Sequence, residues 1–216
     1  MDLVLTELQD PRQAAAKPRY LMWAAEHPKP SVDTPAPGHY WKTPFIWEPG
    51  CPEPPAQSGL HFEPVDGDWL RHAIGAVMSS SLDESDQFTV DKLGLENAVA
   101  EVLELAPRYF SQEPGWWRAA IDSTGQRVGF VLPTTFTDPS RWKDGRRQGT
   151  ILYMGVLPGC RGKGHALELV REATRIFNQA HCWRIFCDTG TGNHPMVNSF
   201  RKAGYLERTP WQRPLA

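Results

Sequence analysis

Val156-Leu157-Pro158-Gly159-Cys160-Arg161-Gly162-Lys163-Gly164-His165-Ala166 is the stretch that decides how this chain is read. Before it, residues 150–157 are apolar enough for a buried strand. After it, Ala166, Leu169, Val170, Ala173, Ile176, Phe177 and Ala180 recur at helical spacing, with Glu168, Arg171, Glu172, Arg175 and Gln179 on the opposite side. The glycines permit a tight turn and close approach of backbone to a ligand. The first N–H groups of the following helix have no partners inside it, and the helix dipole adds positive charge at the same point. Strand, glycine turn and helix start together predict an anion site, most often one for phosphate.

Two phosphate loops are excluded. A Walker A loop needs Gly five residues before its Gly-Lys pair and Ser or Thr after it. Here Leu157 and Gly164 occupy those places. The dinucleotide pattern Gly-x-Gly-x-x-Gly fails because Leu167 stands at the third glycine.

Outward from the loop, a regular pattern begins near residue 58. A strand is predicted over 59–65 and a helix follows, capped by Asp66 or Asp68. Residues 79–87, SSSLDESDQ, read as a polar loop, and a second helix spans about 93–105, stopped by Pro107. Strands at 116–121 and 127–136 form a hairpin. Strand 150–157, helix 164–180, strand 184–189, helix 195–203 and a last strand from 205 complete the order. This predicts an α/β (α+β) fold, a mixed sheet with helices on its faces.

Val156-x-Pro158 followed by Arg161-x-x-Gly164-x-Ala166 resembles the acyl-CoA pyrophosphate loop of the GNAT N-acetyltransferase superfamily, whose pattern is Gln/Arg-x-x-Gly-x-Gly/Ala. Downstream, Asn193-x-Pro195-Met196 and Phe200-x-Lys202-x-Gly204-Tyr205 are similar to the family's Asn-x-x-Ala and Tyr-x-Lys-x-Gly-Phe segment. The resemblance covers about residues 58–216. It implies a splayed sheet with acetyl-CoA, or another acyl-CoA, as cosubstrate where two adjacent parallel strands part. The backbone of Met154 to Val156 would pair with the pantetheine arm. The N–H groups of Arg161, Gly162, Lys163, Gly164, His165 and Ala166 would hold the pyrophosphate. An amide near Val156 would polarise the thioester carbonyl as an oxyanion donor does. Asn193 and Phe200 would face the cofactor, and Asn193 could equally hold the bend before its helix.

The family chemistry is direct transfer of the acyl group to an amine. The amine must lose a proton, the oxyanion must be stabilised, and the thiolate must leave with or without a proton. The last role commonly falls to a family Tyr, which here is Phe200. Tyr205, Tyr153 and Ser199 are the substitutes within the sequence. Asp188 is the candidate base, either drawing the proton through water or bracing the TGTGN loop instead. A free aspartate titrates near ~3.9, so burial or a neighbouring charge would have to raise it. The acceptor implied is a small-molecule primary amine. A protein N-terminus or lysine is the second choice, and Phe200 leaves open a non-catalytic acyl-CoA-binding module.

Composition bounds the rest. Lys+Arg total 23 against Asp+Glu 25, a net charge of −2, which argues against nucleic acid or an anionic membrane surface as partner. The longest apolar run, residues 151–158, is far short of the roughly 20 a membrane helix needs. The start MDLVLTELQD is acidic and does not read as a secretory signal. Cys51, Cys160, Cys182 and Cys187 show neither a disulfide nor a zinc spacing, so no metal and a reduced, cytoplasmic location are expected. Eleven of the 20 prolines fall before residue 58. Residues 1–57 therefore read as a Pro/Trp-rich extension before a domain at 58–216, with proline excluding long helices and central strands over 27–57. Their aromatics suit an arm laid over the acceptor cleft or against a second subunit, as in a homodimer.

Overall fold

A computed structural model describes residues 34–55, 58–65 and 67–214. Asp66 and the part of the N-terminal extension before residue 34 lie outside the described residues. The elements run β1 (His39–Trp47), β2 (His61–Pro64), α1 (Gly67–Met78), α2 (Glu84–Leu93), α3 (Leu95–Tyr109), β3 (Phe110–Ser111), β4 (Arg118–Ile121) and β5 (Arg127–Phe136). Then follow β6 (Gln148–Val156), α4 (His165–Gln179), β7 (Arg184–Gly190), α5 (His194–Lys202), β8 (Leu206–Glu207) and β9 (Trp211–Pro214).

The strands form a mixed sheet in the order β2-β4-β5-β6-β7-β1-β8, with β3 beside β5 and β9 beside β1. Only β6 and β7 are parallel among these pairings, and they pair only at Gln148 with Arg184 and Gly149 with Ile185. Both strands continue for several residues beyond that point without pairing to each other, so the sheet is splayed.

Each face of the sheet carries its own core. Leu169, Val170, Ala173 and Phe177 of α4 and Val197 and Phe200 of α5 pack with Phe45, Trp47, Ile185 and Cys187. On the other face, Leu70, Ile74 and Val77 of α1 and Ala98, Val99 and Val102 of α3 pack with Phe130 and Leu132. Trp116 and Trp117, just before β4, divide between the two. Gly155 lets α1 approach β6 closely: a Cβ there would lie 2.6 Å from Val77 side-chain atoms.

Three local expectations are corrected. Residues 39–47 are a sheet strand, buried along nearly its whole length between β7 and β8 with β9, not an arm outside the sheet. Pro44 is tolerated because its carbonyl, and hence its missing donor, faces the place where pairing passes from β9 to β8; Arg208 N–H donates to that carbonyl at 2.9 Å. The boundary expected at residue 57 thus falls inside a compact unit spanning Ala36–Ala216. The stretch read as a polar loop contains α2, whose N-cap is Asp83. Its apolar residues are too few to show a helical period. Finally, α3 runs past Pro107 to Tyr109, because a proline in the last turn removes only one bond near a helix end.

Phe45, fully buried, is the test of how deeply β1 belongs to the core. Phe45→Ala should lower stability by about 3–5 kcal/mol in urea unfolding. A loss below about 1 kcal/mol would mean that β1 only covers a finished domain.

Candidate active site

The chemistry begins with the parted strands. Leu157 N–H donates to Val128 O on β5 at 2.9 Å. Backbone direction alternates along a strand, so the N–H groups of Met154 and Val156 face the other way, into the gap toward β7. The Val156 carbonyl accepts from Arg161 Nε at 3.2 Å, which folds the following loop back onto the strand end. The remaining Arg161 nitrogens donate to Ser80 O and Ser80 Oγ, both at 2.9 Å, tying the loop to the segment after α1.

The loop itself turns through a 3₁₀ turn at Pro158–Cys160 and then through Gly162 and Gly164, with φ of 80° and 83°. That conformation strongly favours glycine. Gly164 is the N-cap of α4, and no side chain caps the first turn. Next to it, His165 Nε2 is buried without a hydrogen-bond partner. A left-handed glycine turn, an uncapped helix start and an orphaned buried imidazole nitrogen fit an anionic ligand such as a pyrophosphate.

Strands β6 and β7 with this loop line a cleft of about 1380 Å³. Met154, Val156, Arg161, Gly162, Gly164, His165, Ala166, Asp188, Asn193 and Phe200 all line it; Lys163 is not among the lining residues. Asn193 is the N-cap of α5 but makes no side-chain capping bond. Phe200 forms part of the inner wall, stacked on Phe45 with ring centroids 4.8 Å apart and edge-on to Tyr205 at 5.3 Å.

On the opposite face of the sheet, side chains join what the backbone leaves apart. Asp83 sits at the start of α2 and reaches β7: its Oδ2 accepts from Gly190 N–H at 2.6 Å and from Thr189 Oγ1 at 3.1 Å. Its Oδ1 caps α2 through Ser85 N–H at 3.1 Å. Lys42 Nζ, on β1, lies 3.3 Å from Asp83 and 3.5 Å from Asp188 Oδ1. One turn into α2, Asp86 Oδ2 accepts from Tyr153 on β6 at 2.8 Å and from Ser81 at 2.6 Å. The first turn of α2 therefore bridges β7 to β6 across the gap.

Charge and burial set the protonation of this network. Burial opposes the Lys42 ammonium, but Asp188 and Asp83 outweigh it and hold its pKa above the ordinary lysine value. Burial also opposes the Asp83 carboxylate, yet Lys42 and the bonds from Gly190 and Ser85 outweigh it and lower its pKa. For Asp86 burial prevails, and its pKa is raised despite the hydroxyls of Ser81 and Tyr153. Burial, then the Asp86 charge, push the Tyr153 phenol well above its usual value.

Of this cluster, sequence reasoning singled out Asp188 as a base and Tyr153 as a substitute acid. Asp83 and Asp86 lie in the stretch read as a polar loop, and Lys42 was missed. An Asp followed three residues later by a second Asp is a helix-start signal that could have marked α2. Nothing local marks Lys42, because its partners lie 41 and 146 residues away.

The Acetyltransferase (GNAT) family matches residues 77–205, more than half of the chain. This chain belongs to the GNAT acetyltransferase family. Its fold and family are those of an acyltransferase. Among solved structures it is similar to a GCN5-related glucosamine N-acetyltransferase region of a fungal multi-domain GH3 β-N-acetylglucosaminidase. That match has 13% identity and a TM-score of 0.53, over 94% of this chain and 23% of that one. A GCN5-related N-acetyltransferase from Sphaerobacter thermophilus matches at 14% identity and TM-score 0.49, over 91% of this chain and 56% of that one. The NatC complex bound to Gag peptide and CoA matches at 17% identity and TM-score 0.48, over 74% and 100%. The chain thus spans 56% and 23% of the lengths of the Sphaerobacter and fungal proteins. A comparison with curated proteins gave no match. Among the described residues, no group of His, Cys, Asp or Glu is placed to hold a metal ion, and no helix is long and apolar enough to cross a membrane.

Gly164→Val forces a β-branched residue into a left-handed conformation at the loop. Calorimetry should show at least a tenfold weaker acetyl-CoA affinity with only a small loss of thermal stability; unchanged affinity would remove the loop from ligand binding. Lys42→Met leaves two carboxylates without their cation and should cost about 3–5 kcal/mol at pH 7. The pH dependence has a definite sign. Asp83, lowered in the fold, stabilises above its unfolded value near 3.8, and that stability is lost as pH falls through the lower folded value. Lys42, raised in the fold, stabilises fully below its unfolded value near 10.5, and that contribution is lost as pH rises through the higher folded value. Urea unfolding of wild type and Lys42→Met across pH should show the gap narrowing at both extremes; a constant gap would sink the ion-pair account.

Proposed function

We propose that this protein is an N-acyltransferase that moves an acetyl group from acetyl-CoA to a small-molecule primary amine by direct attack. The observation that carries this reading is the parting of β6 from β7, with the N–H groups of Met154 and Val156 facing the gap beside the uncapped start of α4. In this reading the pantetheine arm pairs with the β6 backbone. The glycine turn from Arg161 to Ala166 holds the pyrophosphate, with Lys163 contributing its backbone. Asn193 and Phe200 border the cofactor from α5.

The Val156 amide polarises the thioester carbonyl and stabilises the oxyanion formed on attack. Asp188, whose side chain is 20% exposed in the cleft beside Lys42, receives the proton that the substrate ammonium must lose. The acceptor approaches on the side of α2, where Asp83, Asp86 and Asp188 outnumber the Lys42 ammonium and the Arg161 guanidinium. That surplus of carboxylates suits a cationic amine. The bridge from β7 through α2 to β6 roofs the gap, which favours a compact acceptor over a peptide laid along an open groove. The described cysteines are free thiols, which suits a reducing compartment, the cytoplasm.

A non-catalytic acyl-CoA-binding module is the second reading, favoured by Phe200, which cannot donate a proton. Purified protein mixed with acetyl-CoA and a panel of amino acids, polyamines and amine antibiotics, with free thiol followed from pH 6 to 9, separates the two. Thiol release with at least one amine is expected. Acetyl-CoA binding without release from any amine would leave the binding module. Asp188→Asn should lower turnover and flatten its acid limb; an unchanged pH profile would remove Asp188 from the proton step.

A further inference from the structure

With Phe200 in the position of the usual acid, the departing thiolate needs another proton source. Three hydroxyls near the cleft are candidates, and the structure separates them. The Tyr205 hydroxyl is buried against Thr174 Oγ1 at 2.8 Å, within the core beneath α4. Ser199 donates to Pro195 O at 2.8 Å, inside its own helix. Tyr153 differs from both. It adjoins Met154 on β6, lines the cleft, and leaves the sheet on the face that carries α1 and α2.

The phenol of Tyr153 is held by a second titratable group. Its hydroxyl donates to Asp86 Oδ2, the same oxygen that accepts from Ser81. Phe130 stacks beneath the Tyr153 ring at 6.0 Å and fixes its plane. The pair thus sits under the first turn of α2, on the side from which the acceptor is proposed to arrive.

We propose that Asp86 and Tyr153 are the proton-transfer pair of the reaction, Tyr153 protonating the departing sulfur and Asp86 accepting from the attacking nitrogen. This rests on the acyl-transfer reading above. The free amine, already relieved of one proton by Asp188, forms a C–N bond to the thioester carbon, and the carbonyl electrons move to oxygen. The nitrogen, now cationic, gives its surplus proton to the Asp86 carboxylate. The oxyanion collapses, the C–S bond breaks, and the thiolate takes the phenolic proton of Tyr153. Asp86 returns its proton to the phenolate and Asp188 releases the one it took to solvent water, so all three groups end as they began and the products are amide, thiol and one proton.

The surroundings support this division. Burial raises the Asp86 carboxyl, which makes it a stronger base than an exposed aspartate. It also keeps the Tyr153 phenol protonated through neutral pH. The charged groups facing the pair are Asp83 on the N-cap of α2, Lys42 on β1 and Arg161 on the loop after β6. Asp83 opposes a second negative charge on Asp86, while Lys42 favours it. Arg161 favours the phenolate that forms transiently at Tyr153.

The test uses the full chain, acetyl-CoA and the panel amine that releases most thiol. Tyr153→Phe and Asp86→Asn should each lower kcat at least 100-fold, with the KM for acetyl-CoA changed less than threefold. The double variant should be no slower than the slower single one, because the two act as a unit. Thermal unfolding of each variant establishes that it is folded, and Asp86→Glu should recover part of the lost rate. An independent readout needs no turnover: ¹³C-carboxyl NMR of the ligand-free protein should place the Asp86 titration above 3.8, and Tyr153→Phe should move it higher still, since the tyrosine hydrogen bond lowers it. Folded variants within about twofold of wild-type turnover would overturn the pair while leaving acyl transfer intact. So would an Asp86 titration at or below 3.8. A wild-type chain that moves acetyl to no amine overturns both readings.

Discussion

Strands β6 and β7 share only two residue pairs before they separate, and the rest of the structure is organised around that separation. A strand edge left unpaired inside a sheet exposes backbone donors and acceptors that must find partners elsewhere. Here the edge of β6 opens onto a cleft, and the glycine turn at its end aims the start of α4 into the same space. The cleft is thus a place where the fold withholds its own hydrogen bonds and offers them to a ligand with polar groups spaced along an extended arm.

Separation of the strands would leave the two halves of the sheet weakly joined if nothing replaced the missing ladder. Two devices replace it. On one face, α4 packs across β5 and β6 while sharing a core with β7 and β1. On the other, the first turn of α2 reaches from Asp83 at Gly190 to Asp86 at Tyr153. The second device is ionic as well as hydrogen-bonded, and Lys42 is its only ammonium among the groups described. A buried cation between two carboxylates contributes little net stability by itself, but removal of one member strands the others. The cluster therefore specifies one arrangement of β1, β7 and α2 more than it strengthens the whole.

What the sequence disclosed follows the range of the interactions involved. The loop from Val156 to Ala166 was legible because its signal is local: strand, glycines and helix periodicity lie within one short stretch. Its place at a splay was implied by family resemblance, and periodicity alone would not have reached it. Helix α2 was hidden because its apolar positions are sparse; its identity rests on the cap at Asp83 and on contacts with β6 and β7. Strand β1 was hidden by Pro44 and by the prolines on either side of the strand. The general rule against proline in a central strand holds only where the missing donor faces a ladder, and Pro44 faces a junction between two short partner strands. Asp188 could be singled out from its position before Asn193, whereas its partner Lys42 could not, since the pair forms only when the chain closes on itself.

That closure bears on how the molecule is made. Among the described residues, strand β1 pairs with β7, β8 and β9 alone, and about 140 residues separate its end from the start of β7. At translation rates of roughly 5–20 residues per second, β1 waits several seconds or more for its partners to be synthesised. Its aromatic residues, which end up in the core, spend that interval unsatisfied. The hairpin of β4 and β5 and the strand β6 can assemble early from short-range contacts, while the half of the sheet that holds Lys42 is a late, long-range event. The charged cluster at the mouth of the cleft is therefore among the last features to form during biosynthesis, and a nascent chain that has completed the glycine turn still lacks the charged wall opposite it.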